Sequence, residues 1–130
     1  MLSQYLYIST APGLSAEEVD QILESSVANN SARGITGILL YNGRNFMQLL
    51  EGKEDDLAAL MARIAQDSRH SGVSTLDRRE VSKRSCVQWA MKRVFFTESV
   101  DDRRRGLDKE LPADLDPEMR KTIVNFAMLN

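Results

Sequence analysis

Ile35-Thr36-Gly37-Ile38-Leu39-Leu40-Tyr41-Asn42-Gly43-Arg44-Asn45-Phe46-Met47-Gln48-Leu49-Leu50-Glu51-Gly52 decides the fold. A dense aliphatic run reaches Tyr41, and Asn42-Gly43, the strongest short hairpin signal, follows it because both residues tolerate the positive φ of a tight turn. Asn45 to Leu50 then returns as a second strand. Side chains alternate along a strand, so Phe46, Gln48 and Leu50 share one face. A glutamine among core-facing positions needs partners, since a buried unpaired amide costs about 1–3 kcal/mol. Gln48 is therefore the first candidate functional residue.

Upstream of the hairpin, Gln4 to Ser9 reads as a short strand closed by Thr10-Ala11-Pro12-Gly13, with Tyr5, Tyr7 and Ser9 on one face. Ser15-Ala16-Glu17-Glu18 matches a capping box and starts a helix. Its stripe runs Val19, Ile22, Leu23, Ser26, Val27 and then Asn30, which puts a polar amide at the end of an apolar row. Downstream of Glu51-Gly52, a second amphipathic helix carries Leu57, Leu60, Met61 and Ile64 and finishes near Asp67 to His70, before Gly72. Val73 to Leu76 and Val87 to Phe96 supply two more strands. The order predicts an α+β, ferredoxin-like βαββαββ domain over 1–98: a mixed sheet with two helices on one face. The remainder, 99–130, reads as a charged connector followed by an amphipathic helix opening at Asp116-Pro117-Glu118. Met119, Ile123, Phe126 and Ala127 lie along one side of that helix, ready to cover the sheet's open face or to meet a partner.

At 130 residues, 42% hydrophobic and 28% charged, the chain has the make-up of one globular domain able to bury a core without staples. No apolar run is long enough to cross a bilayer and no secretory leader is evident, so the expectation is a soluble cytoplasmic protein. One cysteine, Cys86, excludes an internal disulfide, and one histidine, His70, does not assemble a structural zinc site. No nucleophile, base and orienting group stand together, and no glycine-rich phosphate loop follows a strand, which leaves hydrolase and kinase readings without an anchor. A net charge of −2 offers phosphate backbones no general attraction. The basic run Arg103 to Arg105 is flanked by Asp101, Asp102 and Asp108, and Phe95 and Phe96 are its only nearby stacking aromatics, so nucleic acid is not an expected partner.

Several separated motifs nevertheless fall in one order: Leu6-Tyr7-Ile8-Ser9; Asn29-Asn30 with Ile35-Thr36-Gly37; Phe46-Met47-Gln48-Leu49-Leu50-Glu51-Gly52; Arg63 to His70; and Trp89-Ala90-Met91. On these the chain, from about residue 2 to 98, resembles the BLUF (blue light using flavin) domain. The resemblance implies a blue-light photoreceptor, not an enzyme, with a flavin ring inserted between the two helices. It also implies residue roles. Tyr7 would donate an electron and a proton to the excited flavin, and Gln48 would bridge that phenol and the ring. Trp89 and Met91 would be coupled to the switch. Asn30 and Asn29 would meet the ring's polar edge, with Arg63, Asp67 and His70 near the ribityl and phosphate end. FAD is the default cofactor, with FMN and riboflavin as alternatives because the ring is common to all three.

Taken singly, these residues have plainer readings. Tyr7, Trp89 and Met91 suit a core, Asn30 suits a helix C-cap, and Arg63 and Asp67, four apart, suit an exposed ion pair. The joint pattern favours the flavin site. With little chain left for an output domain, signalling is expected through an unidentified protein partner or a homo-oligomer, for which the apolar side of the last helix offers a surface. A small flavin-dependent oxidoreductase is the competing reading from the same pocket.

Overall fold

A computed structural model of the chain describes residues 2–11, 13–42, 44–67, 71–86, 104–107, 109 and 111–128, together with the backbone of 92–94. Its elements are β1 (Leu2–Thr10), α1 (Ala16–Arg33), β2 (Thr36–Tyr41), β3 (Asn45–Lys53), α2 (Glu54–Gln66), β4 (Ser71–Val81), β5 (Lys92–Val94) and α3 (Pro117–Met128). The sheet order is β4-β1-β3-β2-β5, antiparallel throughout except that β5 runs parallel to β2. This is the expected ferredoxin-like α+β architecture with one added strand.

Local chemistry fixes the ends of these elements. The Ser15 hydroxyl accepts from the Glu18 amide, and the Glu18 carboxylate accepts from the Ser15 amide, both at 3.1 Å, so the capping box forms as read. Gly34, at φ +66°, closes α1 in the left-handed conformation that a glycine adopts without strain. At the hairpin, Asn42 Oδ1 accepts from the amides of Arg44 (3.1 Å) and Asn45 (2.8 Å) and holds the turn. Gly37 is required for a different reason: a Cβ there would lie 2.0 Å from the Leu49 carbonyl oxygen. Only a glycine lets β2 approach β3 this closely.

Each face of the sheet has its own core. Tyr5, Tyr7, Leu39, Phe46 and Leu50 pack under α1 and α2, with Val19, Ile22 and Leu57 as the helices' buried contributions. On the opposite face Leu6, Ile38, Leu40, Met47 and Leu49 pack against Met119, Ile123, Phe126 and Ala127 of α3. Asp116 starts α3 by accepting from the amides of Glu118 (3.0 Å) and Met119 (3.1 Å), and Pro117 occupies the first helical position, where its missing N–H costs nothing. The apolar side of α3 is thus spent on the chain's own sheet, and an oligomer has to use another surface.

Two strands outrun their expected limits. β3 continues past Leu50 through Glu51 to Lys53, because the Glu51 side chain finds hydrogen-bond donors inside the protein. β4 extends beyond Val73–Leu76 to cover Ser71–Val81, through the charged run Asp77 to Glu80. As an edge strand it takes its ladder from β1 and needs no apolar side chains on its open flank. Of the stretch Val87 to Phe96, only Lys92–Val94 falls within the described residues, and there it is a strand as expected.

Candidate functional site

Tyr7 and Gln48 are directly opposed residues on two adjacent interior strands, β1 and β3. Both are buried, and both project toward the helices. The Tyr7 hydroxyl donates a hydrogen bond to Gln48 Oε1, leaving the Nε2 end as the donor half of the amide. Burial, reinforced by the charge of Asp67, raises the Tyr7 pKa well above that of an ordinary phenol, so the group stays neutral and keeps its proton to donate.

This pair forms the floor of a cleft of about 630 Å³, open mouth included. Its walls follow one rule. From α1 come Ile22, Ser25, Ser26, Asn29 and Asn30, and from α2 come Leu60, Arg63, Ile64 and Asp67. Each set follows the i, i+3, i+4, i+7 spacing that collects residues on one side of a helix. Apolar side chains from both helices thus line the gap together with amides, hydroxyls, a guanidinium and a carboxylate. The arrangement fits a flat conjugated heterocycle with apolar faces and a polar edge, the form of an isoalloxazine ring.

The cleft brings together six of the residues singled out in the sequence: Tyr7, Asn29, Asn30, Gln48, Arg63 and Asp67. Trp89, Met91 and His70 lie outside the described residues, as do Phe95, Phe96 and Arg103. The plain reading of Asn30 as a C-cap fails. Gly34 is the cap, the Asn30 main-chain carbonyl accepts from the amides of Gly34 and Ile35, and the buried Asn30 side chain lines the cleft. Asp67 ends α2 while half-buried at the rim, and Arg63 is exposed there. Ser25 is the lining residue that the apolar stripe concealed. Its position four residues before Asn29, parallel to Ser26 and Asn30, is the signal that marks it.

Tyr5 shares a face with Tyr7 but does a different job. Its hydroxyl donates to Glu54, whose carboxylate also receives Arg78, and the Arg78 guanidinium lies 5.1 Å from the Tyr5 ring centroid. That cluster pins the start of α2 to the sheet, leaving Tyr7 as the tyrosine whose hydroxyl meets the glutamine.

Residues 2–92 match the family model described as "Sensors of blue-light using FAD", BLUF. The chain belongs to the BLUF family of blue-light flavin sensors. Among curated BLUF relatives, the photoactivated adenylate cyclase subunit alpha of Euglena gracilis is 34% identical over 89 residues, covering 68% of this chain and 9% of that protein. The blue light- and temperature-regulated antirepressor BluF of Escherichia coli is 35% identical over 60 residues, 46% of this chain and 15% of that one. The chain thus spans only a small part of these relatives. Among solved structures, the BLUF protein BlrB in its dark state superimposes with a TM-score of 0.74 at 30% identity, covering 96% of both chains. Klebsiella pneumoniae BlrP1 with FMN and cyclic diGMP gives a TM-score of 0.83 at 28% identity, covering 98% of this chain and 34% of that one. No helix among the described residues is long and apolar enough to cross a membrane.

Proposed function

We propose that this BLUF chain senses blue light through the Tyr7–Gln48 pair and works as a switch without catalytic turnover. The hydrogen bond from the Tyr7 hydroxyl to Gln48 Oε1 at the floor of the cleft carries this reading. A flavin held in this cleft would supply blue-light absorption and, when excited, an acceptor for an electron. Tyr7 gives up one electron and the hydroxyl proton, and both return, so no net oxidation remains. While that bond is broken, the Gln48 amide rotates or tautomerises. A glutamine suits the task because it carries donors at one end and an acceptor at the other. The altered hydrogen bonding then persists as a small red shift of the oxidised flavin.

Asn30 and Asn29 serve the ring's polar edge, and Arg63 and Asp67 its ribityl and phosphate end, in keeping with their places along the cleft. The cofactor we favour is FAD, with the exposed Arg63 at the rim available to a distal phosphate. Residues 1–98 form the sensory unit and 99–130 its cap. Output passes to a protein partner or a second copy of the chain.

Absorption spectra of the purified protein in darkness, after a blue pulse and during recovery test the proposal against Tyr7→Phe. The wild type should shift red and relax, and the variant should hold flavin without the shift. A bound flavin that bleaches under steady light would point to redox turnover, and an undiminished shift in Tyr7→Phe would refute the donor role.

A further inference from the structure

Glu51 follows Gln48 by three residues on β3, so its side chain leaves the opposite face of the sheet. It is fully buried. Its Oε2 accepts from Gln4 Nε2 and from the Ser85 amide, both at 2.8 Å, and its Oε1 accepts from the Cys86 amide at 2.7 Å and from Thr36 Oγ1 at 3.3 Å. Each of these four groups donates, the pattern that suits a carboxylate, which only accepts. The nearby cation goes elsewhere. Arg84 Nη1 donates to Thr36 Oγ1 and to the Glu51 main-chain oxygen, both at 3.0 Å.

These donors come from three parts of the chain: β1, β2 and the 84–86 segment. Gln4 opposes Glu51 on the β1–β3 ladder just as Tyr7 opposes Gln48, and Thr36 opposes Glu51 on the β2–β3 ladder. A slip of one residue in the β1–β3 ladder would break the Gln4–Glu51 bond and the switch pair's alignment together, and a slip in the β2–β3 ladder would break the Thr36 bond. The Ser85 and Cys86 amides belong to the segment that precedes β5. That strand pairs with β2 at Leu39–Arg93, and Leu39 is the residue opposite Gln48 on β2.

We propose that Glu51 is a positioning residue of the photoswitch. Its carboxylate ties the 84–86 segment and strands β1 and β2 to the strand that bears Gln48, and the displaced network relaxes in darkness against this tie. The inference rests on the reading of Tyr7 and Gln48 given above. Glu51→Gln is the sharpest probe, because it keeps the shape but turns an amide NH₂ toward groups that are themselves donors. Arg84→Met loosens the same segment from a half-buried position and leaves the carboxylate in place.

The experiment follows dark recovery of the red shift in wild type, Glu51→Gln and Arg84→Met, each purified with flavin bound. Glu51→Gln should retain the shift but recover about tenfold more slowly, the effect of about 1.36 kcal/mol on a barrier, and Arg84→Met should slow recovery less. A purely structural role would lower the melting temperature and flavin content yet leave the recovery rate of flavin-bound molecules untouched. Unchanged or faster recovery in Glu51→Gln beside a shifting wild type overturns the tie alone. A wild type without a shift removes the Tyr7–Gln48 reading and the tie's role with it. If Glu51→Gln does not fold, Arg84→Met decides, and an unchanged rate there overturns the proposal.

Discussion

Under α3 the side chains close over one another, and Met119, Ile123, Phe126 and Ala127 are buried against Leu6, Ile38, Leu40 and Leu49. Under α1 and α2 the same sheet is covered less completely. There Leu23, Leu60, Met61 and Ile64 remain half-buried and Val27 is 37% exposed. The polar groups are sorted in the same sense. On the α3 face the Glu51 carboxylate is held by four donors. On the helix face the buried bond joins a phenol and an amide, both of which can donate as well as accept. One sheet thus carries a face that fixes a single arrangement and a face that admits two.

The largest effect expected from this contrast is in Gln48→Leu. It removes both ends of the reversible amide while nearly conserving volume, so flavin should stay bound and the normal red shift should vanish from the light-minus-dark spectrum. A native-like photoproduct would erase the distinction between the faces. Phe126→Ala should do the reverse. Truncating a large buried side chain costs about 3–5 kcal/mol, read by denaturant unfolding, while the flavin-bound fraction keeps its red shift. Loss of the shift at full flavin occupancy would mean that the α3 face takes part in the switch.

The smallest effect concerns the start of α3. Asp116 caps the helix and meets Arg79 Nη1 at 2.9 Å. The bond from the Met119 amide, then the Arg79 charge, hold its carboxyl below the usual range. Its ionised form therefore favours the folded state at neutral pH, and that contribution is lost as pH falls through the depressed folded value. Asp116→Asn keeps a capping oxygen but not the charge, so it should melt slightly below wild type near neutrality, with the gap closing in acid. A gap that persists in acid would place the effect in the cap, not in the charge.

Elements with strong internal patterning were legible in the sequence. The hairpin around Asn42, the capping box at Ser15 and the start of α3 at Asp116 all announce themselves through residues whose local bonding differs from their neighbours'. The Tyr7–Gln48 pair was legible because a polar residue on a core-facing strand position stands out. The far half of β4 was not, since an edge strand is held by its neighbour's backbone and the charged run Asp77 to Glu80 carries no apolar alternation. Ser25 was hidden because a small hydroxyl beside an apolar stripe looks like solvent surface. The anchoring by Glu51 was equally hidden, because two of its donors are main-chain amides more than thirty residues away. Main-chain donors have no signature in side-chain pattern.

β1 precedes the sheet's other strands in the chain, and it ends up between β3 and β4, with Leu2 opposite Lys53 on one side and Val81 on the other. At about 5–20 residues per second, about 4–16 s separate the appearance of β1 from that of its last partner. Until β3 has been made, Tyr5, Leu6, Tyr7 and Ile8 have no strand of this sheet to pair with, and one edge of β1 waits for β4. The floor of the cleft, where Tyr7 meets Gln48, can be completed only after the long connection from β1 to β3 has closed.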